Sequence, residues 1–367
     1  LFAINELLDA VEITSAFVSH GGSRYIGPGE AATSKKSIVS ENRTYYIQIP
    51  QYTGHSAQYE LRMFFSELNQ SDLGEDNDDQ VSAEPIAANQ FHQARNGFWK
   101  NGATKEDQQD WYKLEFAESG VLQYTIENLH NESVANGFVD ETIFYGSTTF
   151  DFIELTRASV SHGSSRYIGE TEIASSGKVG IDKGRTFFLQ IPQYVNHAAP
   201  YEFQVNFVPS AFADFGENND QSTMATSISA NSENTAQVGY IVSSGQYDEK
   251  DWYKQQIGDN GLLQITIENL YSNDILNGRI APSKIYLKNI LDFNEIETLQ
   301  INHGGSNNYI GAGETVVSSR IAVSTAEEYF LEVPQYLTDR HQAPYKLTTT
   351  ITPITISGVP DDNDTSG

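Results

Sequence analysis

Two acidic patterns recur in this chain at a spacing that suits a divalent cation. The first is GEDNDDQ at 74–80, repeated as GENNDQ at 216–221 and as PDDNDTSG at 360–367. The second lies roughly 30 residues further on: Asp107 and Asp110, then Asp248 and Asp251, each pair followed directly by Trp-Tyr. Calcium takes about six to eight oxygen ligands, several of them carboxylates, with asparagine side chains and backbone carbonyls completing the shell. Glu75, Asn77, Asp78, Asp107 and Asp110 supply that chemistry in one copy, and Glu217, Asn219, Asp220, Asp248 and Asp251 in the other. Brought together without a cation, such carboxylates repel and raise one another's pKa values. The spacing is not that of an EF-hand. Residue types leave a second reading open, in which the Asn and Asp residues cap turns and the aspartate pair is a solvated strand edge.

The elements that must position these residues are read from the repeats. IPQY at 49–52 returns at 191–194 and as VPQY at 333–336, so that Tyr52, Tyr194 and Tyr336 stand 142 residues apart. SRYIG at 23–27 returns at 165–169 and, loosened, as NNYIG at 307–311, and TIENL recurs at 125–129 and 266–270. A period this long indicates whole domains in tandem, not a solenoid. With boundaries at the acidic motif, residues 1–74 are the C-terminal part of a truncated repeat, 75–216 and 217–360 are complete repeats, and 361–367 start a further one. The chain therefore reads as an excerpt of something longer. Within a repeat, GLLQITIENL, RTFFLQIPQY and PYEFQVNFV alternate apolar and polar residues, separated by Gly- and Asn-rich turns. The expected fold is all-β: tandem antiparallel β-sandwich domains, jelly-roll-like. The joining segments keep Leu68, Leu73, Phe212 and Phe215, so the neighbouring repeats are expected to be partners through packing at the joint.

Composition narrows the function. Of 367 residues, 49 are acidic and 22 basic, a formal net charge of −27, and no cluster of Lys or Arg could neutralise phosphates. Nucleic acid and anionic membrane are not expected as partners, and cations are favoured. There is no cysteine, so neither a disulfide framework nor a thiolate metal site is available. No apolar run reaches the length of a membrane span, so membrane insertion is not expected. No Gly-x-Ser-x-Gly, His-Glu-x-x-His or phosphate-binding glycine loop occurs, and the chain is not expected to be an enzyme.

Six of the eight histidines fall at two repeated positions, His20, His162 and His303 before the Tyr-Ile-Gly strand and His55, His197 and His341 before the last strand. The His-Gly setting of the first group reads as a loop, and a structural part is favoured over a ligand contact for both. Arg24 and Arg166 beside Tyr25 and Tyr167 read as strand-edge pairs before they read as a sugar- or peptide-binding face. Trp111 and Trp252 read as core anchors.

The order of the acidic motif, the Asp-x-x-Asp-Trp-Tyr strand, GLLQITIENL and EEYFLEVPQY…APYKL resembles the bacterial pre-peptidase C-terminal domain, a family that includes the collagen-binding domains of clostridial collagenases. The resemblance implies a jelly-roll β-sandwich that binds Ca2+ through the ten residues named above. It adds Ser243 in one repeat only, its counterpart being Gly102, and makes Asp361, Asn363 and Asp364 half of a further site. Collagen recognition in that family uses exposed tyrosines and an arginine near the aspartate pair. Here Gln109 or Lys250 stands between the aspartates and proline interrupts the IPQY strand, so collagen binding is not implied. The expected protein is a calcium-stabilised segment of a large secreted or cell-surface bacterial protein, serving as adhesive or load-bearing stalk. The alternatives are a module of a secreted enzyme that binds extracellular polysaccharide or matrix protein, and a building block that joins other copies in a filament.

Overall fold

The computed structural model describes residues 2–4, 10–39, 44–67, 72–74, 76–98, 107–130, 134–147, 152–210, 212, 215–216, 219–239, 248–288, 292–337 and 341–354. Its contacts define two compact units. One is formed by Leu1–Glu115, Leu122–Gly177 and Thr186–Phe207, the other by Phe116–Val121, Lys178–Arg185 and Val208–Gly367. Among the described residues the regular structure is β throughout, apart from one 3-10 turn at Ser222–Met224.

Each complete repeat forms two five-stranded sheets. In the first, one sheet has the order Phe152–Ala158, Thr142–Ser147, Thr186–Pro192, Gln109–Glu115 and Glu84–Pro85. The facing sheet runs Ile173–Ser175, Gly120–Asn128, Ala199–Pro209 and Phe91–Asn96 along its main path. The second repeat reproduces both orders, with Lys250–Gln255 in the place of Gln109–Glu115 and Gly261–Asn269 in that of Gly120–Asn128. The pairings are antiparallel except for the short strand after each acidic motif. Glu84–Pro85 and Thr226–Ile228 run parallel to the aspartate strand beside them.

The alternation seen in the sequence is the alternation of burial. Gly120–Asn128 and Gly261–Asn269 bury every second side chain and half-bury the rest. Leu122, Tyr124 and Ile126 face inward with Phe144, Phe187, Leu189 and Phe203, and the second repeat places Leu263, Ile265, Ile267, Ile285 and Leu331 likewise. Each such side chain contributes about 1.5–3 kcal/mol when fully buried. Cores of this size account for sandwiches that hold without disulfides. They also make a rigid platform for the aspartate strand, which lies next to the central strand of its sheet: Asp110 is opposite Ile191, and Asp251 opposite Val333.

Candidate functional site

In each repeat one asparagine pins the acidic segment to the aspartate strand. Gly74 (φ 84) and Gly216 (φ 99) turn the chain through the left-handed region, where side chains are disfavoured. A Cβ on Gly74 would also stand 2.8 Å from Glu84 Cβ, and one on Gly216 2.6 Å from Thr226 Oγ1. The turn lets the Asn77 N–H donate to the Gly74 carbonyl at 2.9 Å. Asn77 then bonds the strand twice. The Trp111 N–H donates to its carbonyl at 2.8 Å, and Asn77 Nδ2 donates to the Trp111 carbonyl at 3.2 Å. Asn219 does the same with Trp252, at 2.9 and 3.2 Å. In the first repeat Gln109, between the two aspartates, adds a bond from Nε2 to the Asp78 carbonyl at 2.7 Å. Lys250 in the equivalent place instead pairs with Glu332 at 3.2 Å.

The aspartates on this strand and just before it are buried: Asp107 is 5% exposed, Asp110 1%, Asp248 6% and Asp251 1%. Burial of a carboxylate is costly unless hydrogen bonds or a cation compensate. One compensating donor comes from the facing sheet. The Tyr201 hydroxyl donates to Asp110 Oδ2 and lies 2.8 Å from the Tyr112 hydroxyl. The second repeat repeats the arrangement, with Tyr345 donating to Asp251 at 2.5 Å and standing 2.7 Å from the Tyr253 hydroxyl. Tyr253 in turn reaches the Phe215 carbonyl, at the start of the acidic segment, at 3.2 Å. Burial first, and then the neighbouring Asp110, push the Tyr201 phenol well above its ordinary range, so it stays protonated as a donor. Tyr345 is raised by burial and by Asp251 in the same way.

These tyrosines were not singled out from the sequence. Their signal was the recurrence of Pro-Tyr in PYEF and PYKL, 144 residues apart, which periodicity explains equally well as strand.

The donor set meets the requirements of a hard cation in part. Asn77 Oδ1 and Asp220 Oδ1 are buried and have no hydrogen-bond partner among the described residues. Amide and carboxylate oxygens left over in this way beside buried aspartates suit calcium, not a metal that prefers nitrogen or sulfur. Among the described residues no three His, Asp or Glu side chains form a metal-holding group. Glu75, Glu217 and Ser243 lie outside the described residues, as do Asp361, Asn363 and Asp364.

The repeated histidines build a second constellation. His20 stacks on Tyr25 at 4.1 Å, His162 on Tyr167 at 4.0 Å and His303 on Tyr309 at 3.9 Å. In each copy a glutamate closes the loop: Glu30, Glu172 and Glu314 accept from the histidine Nε2 at 3.0, 3.0 and 3.1 Å and from the N–H of Gly27, Gly169 and Gly311. Tyr52, Tyr194 and Tyr336 pack against the same tyrosines. Arg24 pairs across its hairpin with Ser19 and lies over Phe17, and Arg166 pairs with Ser161 and contacts Glu141. Trp111 is buried with Ala83 and Phe188 and stacks on Tyr145, while the half-buried Trp252 stacks on Tyr286.

No protein-family model matches the chain, and no curated protein matches it in sequence. Among solved structures it is similar to the pre-peptidase C-terminal domain of collagenase from Bacillus anthracis, at 17% identity over 34% of this chain and 94% of that one, with a TM-score of 0.24. It is similar also to the N-terminal CBM22-1-CBM22-2 tandem domain of Paenibacillus barcinonensis Xyn10C (10% identity, 73% and 93% covered, TM-score 0.22) and to the PBSX exported protein XepA (10% identity, 81% and 100% covered, TM-score 0.19). No helix among the described residues is long and apolar enough to cross a membrane.

Proposed function

We propose that the repeats are calcium-stabilised β-sandwiches of the pre-peptidase C-terminal type, serving as stalk or adhesive spacers in an extracellular protein. One observation carries this reading. In both complete repeats an asparagine of the acidic motif is bonded at two points to the strand that carries one buried aspartate, Asp110 or Asp251, with a second buried aspartate, Asp107 or Asp248, just before it. Asn77, Asp78, Asp107 and Asp110 would hold the ion in the first repeat, and Glu75 belongs to the same set by sequence. Asn219, Asp220, Asp248 and Asp251 would do so in the second, with Glu217. The ion supplies positive charge to buried oxygens; the chain's own residues fix the acidic segment to the sandwich. The role is structural, and the net charge of −27 favours cation uptake from the medium.

Calorimetric titration of the chelator-stripped chain with CaCl2 tests the proposal. Calcium at about 100 times its Kd is expected to add roughly 2.7 kcal/mol per site to the stability of the repeat that binds it. Asp251→Asn is expected to remove the calcium bound by one repeat and to leave the other's. No heat of binding, and a melting temperature indifferent to chelator, would overturn it.

A further inference from the structure

A second contact occurs twice in the molecule and once in half. SKKSIVS at 34–40, SGKVGID at 176–182 and SSRIAVS at 318–324 are equivalent segments, 142 residues apart. HNESVANG at 130–137 and YSNDILNG at 271–278 are equivalent loops. In the second unit, Lys178 forms a parallel bridge with Ile275, and its carbonyl accepts from the Leu276 N–H at 2.9 Å. The buried Asn277 closes on Gly180 from both sides: the Gly180 N–H donates to Asn277 Oδ1 at 2.7 Å, and Asn277 Nδ2 donates to the Gly180 carbonyl at 2.9 Å. Lys178 Nζ pairs with Asp274 at 2.6 Å.

The first unit holds the same clamp. Lys36 bridges Val134 in parallel, its carbonyl accepts from Ala135 at 2.8 Å, and Asn136 bonds both backbone groups of Ile38, at 2.8 and 3.2 Å. In each case the strand segment belongs by sequence to one repeat and the loop to the next.

Among the described residues no such loop meets the third segment. Ile321–Val323 pairs along one edge with Gly261–Asn269, and no strand or bridge among the described residues pairs with its other edge. Ala322, in the place of Gly180 and Ile38, is exposed, as is Arg320 in the place of Lys178. By equivalence with Gly180, Ala322 turns its N–H and C=O to that open edge.

We infer that the outer edge of Ile321–Val323 is a docking site for the Val/Ile-x-Asn-Gly loop of a following repeat of the same kind. Both loops within the chain are already engaged, so the occupant is a further repeat, with an acidic residue to meet Arg320. The edge is also selective. A Cβ on Gly180 would lie 2.4 Å from the Tyr271 hydroxyl, so Gly180 admits Tyr271, whereas at the equivalent positions the first unit has the larger Ile38 and the smaller His130. Ala322 therefore accepts a loop that begins with a residue smaller than tyrosine.

The test extends the full chain in phase, replacing residues 361–367 with a second copy of 75–216, and reads amide hydrogen exchange over 320–322. Exchange is expected to slow by about tenfold or more on extension, because an edge amide gains a buried partner. Asn136→Ala in the appended copy, which leaves both existing clamps intact, is expected to restore the original rate. Appending 217–354 instead, whose loop begins with Tyr271, is expected to protect less, and Ala322→Gly to recover that protection. The measurement is made in excess calcium and in excess chelator; protection in either supports the docking site, whatever becomes of the calcium proposal. Equal exchange in the extended and original chains under both conditions overturns it.

Discussion

Tyr201 and Tyr345 tie each aspartate strand to the facing sheet through a single hydroxyl. Removing that hydroxyl takes one hydrogen bond from a buried carboxylate and one from a second tyrosine. Tyr201→Phe is expected to lower stability by about 1–3 kcal/mol, read from urea denaturation. His197 makes a different residue-scale prediction. Its Nδ1 accepts from the Phe138 N–H at 3.2 Å, its ring stacks on Phe138, and burial lowers its pKa to about 4. The unfolded chain, with histidine near about 6.5, takes up the proton first, so below that pH the unfolded state binds more protons. Stability contributed by neutral His197 is present in full above about 6.5 and is lost as pH falls towards about 4. Melting temperature against pH is expected to fall less steeply over this window in His197→Gln than in the parent chain. Asn77, Asp78, Asp107 and Asp110 were legible as candidates in the sequence because their types and spacing recur. Tyr201 was not, since a tyrosine in an alternating strand carries no sign of which buried oxygen it will meet 91 residues away.

At the scale of elements, the strands follow from period-two alternation, and both five-stranded sheets bury the residues that alternation marks. What alternation does not carry is pairing. That Glu84–Pro85 runs parallel to its aspartate strand, and that Lys178–Gly180 receives a loop nearly 100 residues further along, depends on contacts between distant segments. Gly180 leaves room for Tyr271 in one clamp, and the equivalent positions in the other hold Ile38 and His130. Gly180→Ala is expected to cost about 1–3 kcal/mol in chemical denaturation, the range for overpacking a filled site. Adding Tyr271→His is expected to recover most of that loss. Ala322→Gly, at an exposed position, is expected to change stability little.

For the whole molecule, an excess of 27 negative charges opposes the compact state by self-repulsion. Raising NaCl from about 0.02 to 0.3 M is expected to raise the melting temperature by screening. Calcium at concentrations too low to screen is expected to raise it further, and Asp110→Asn to reduce that second increment alone. The sequence by itself determined the all-β class, the 142-residue period and the recurrence of the acidic motifs, because alternation, repetition and charge are local properties of the chain. The tertiary structure alone decided which oxygens are buried together, that a tyrosine from the facing sheet serves Asp110 and another Asp251, and that each complete repeat's loop closes on a segment supplied by the repeat before it. Those are matters of which distant segments meet, and the hydrogen bonds that settle them leave no periodic trace in the residues that make them.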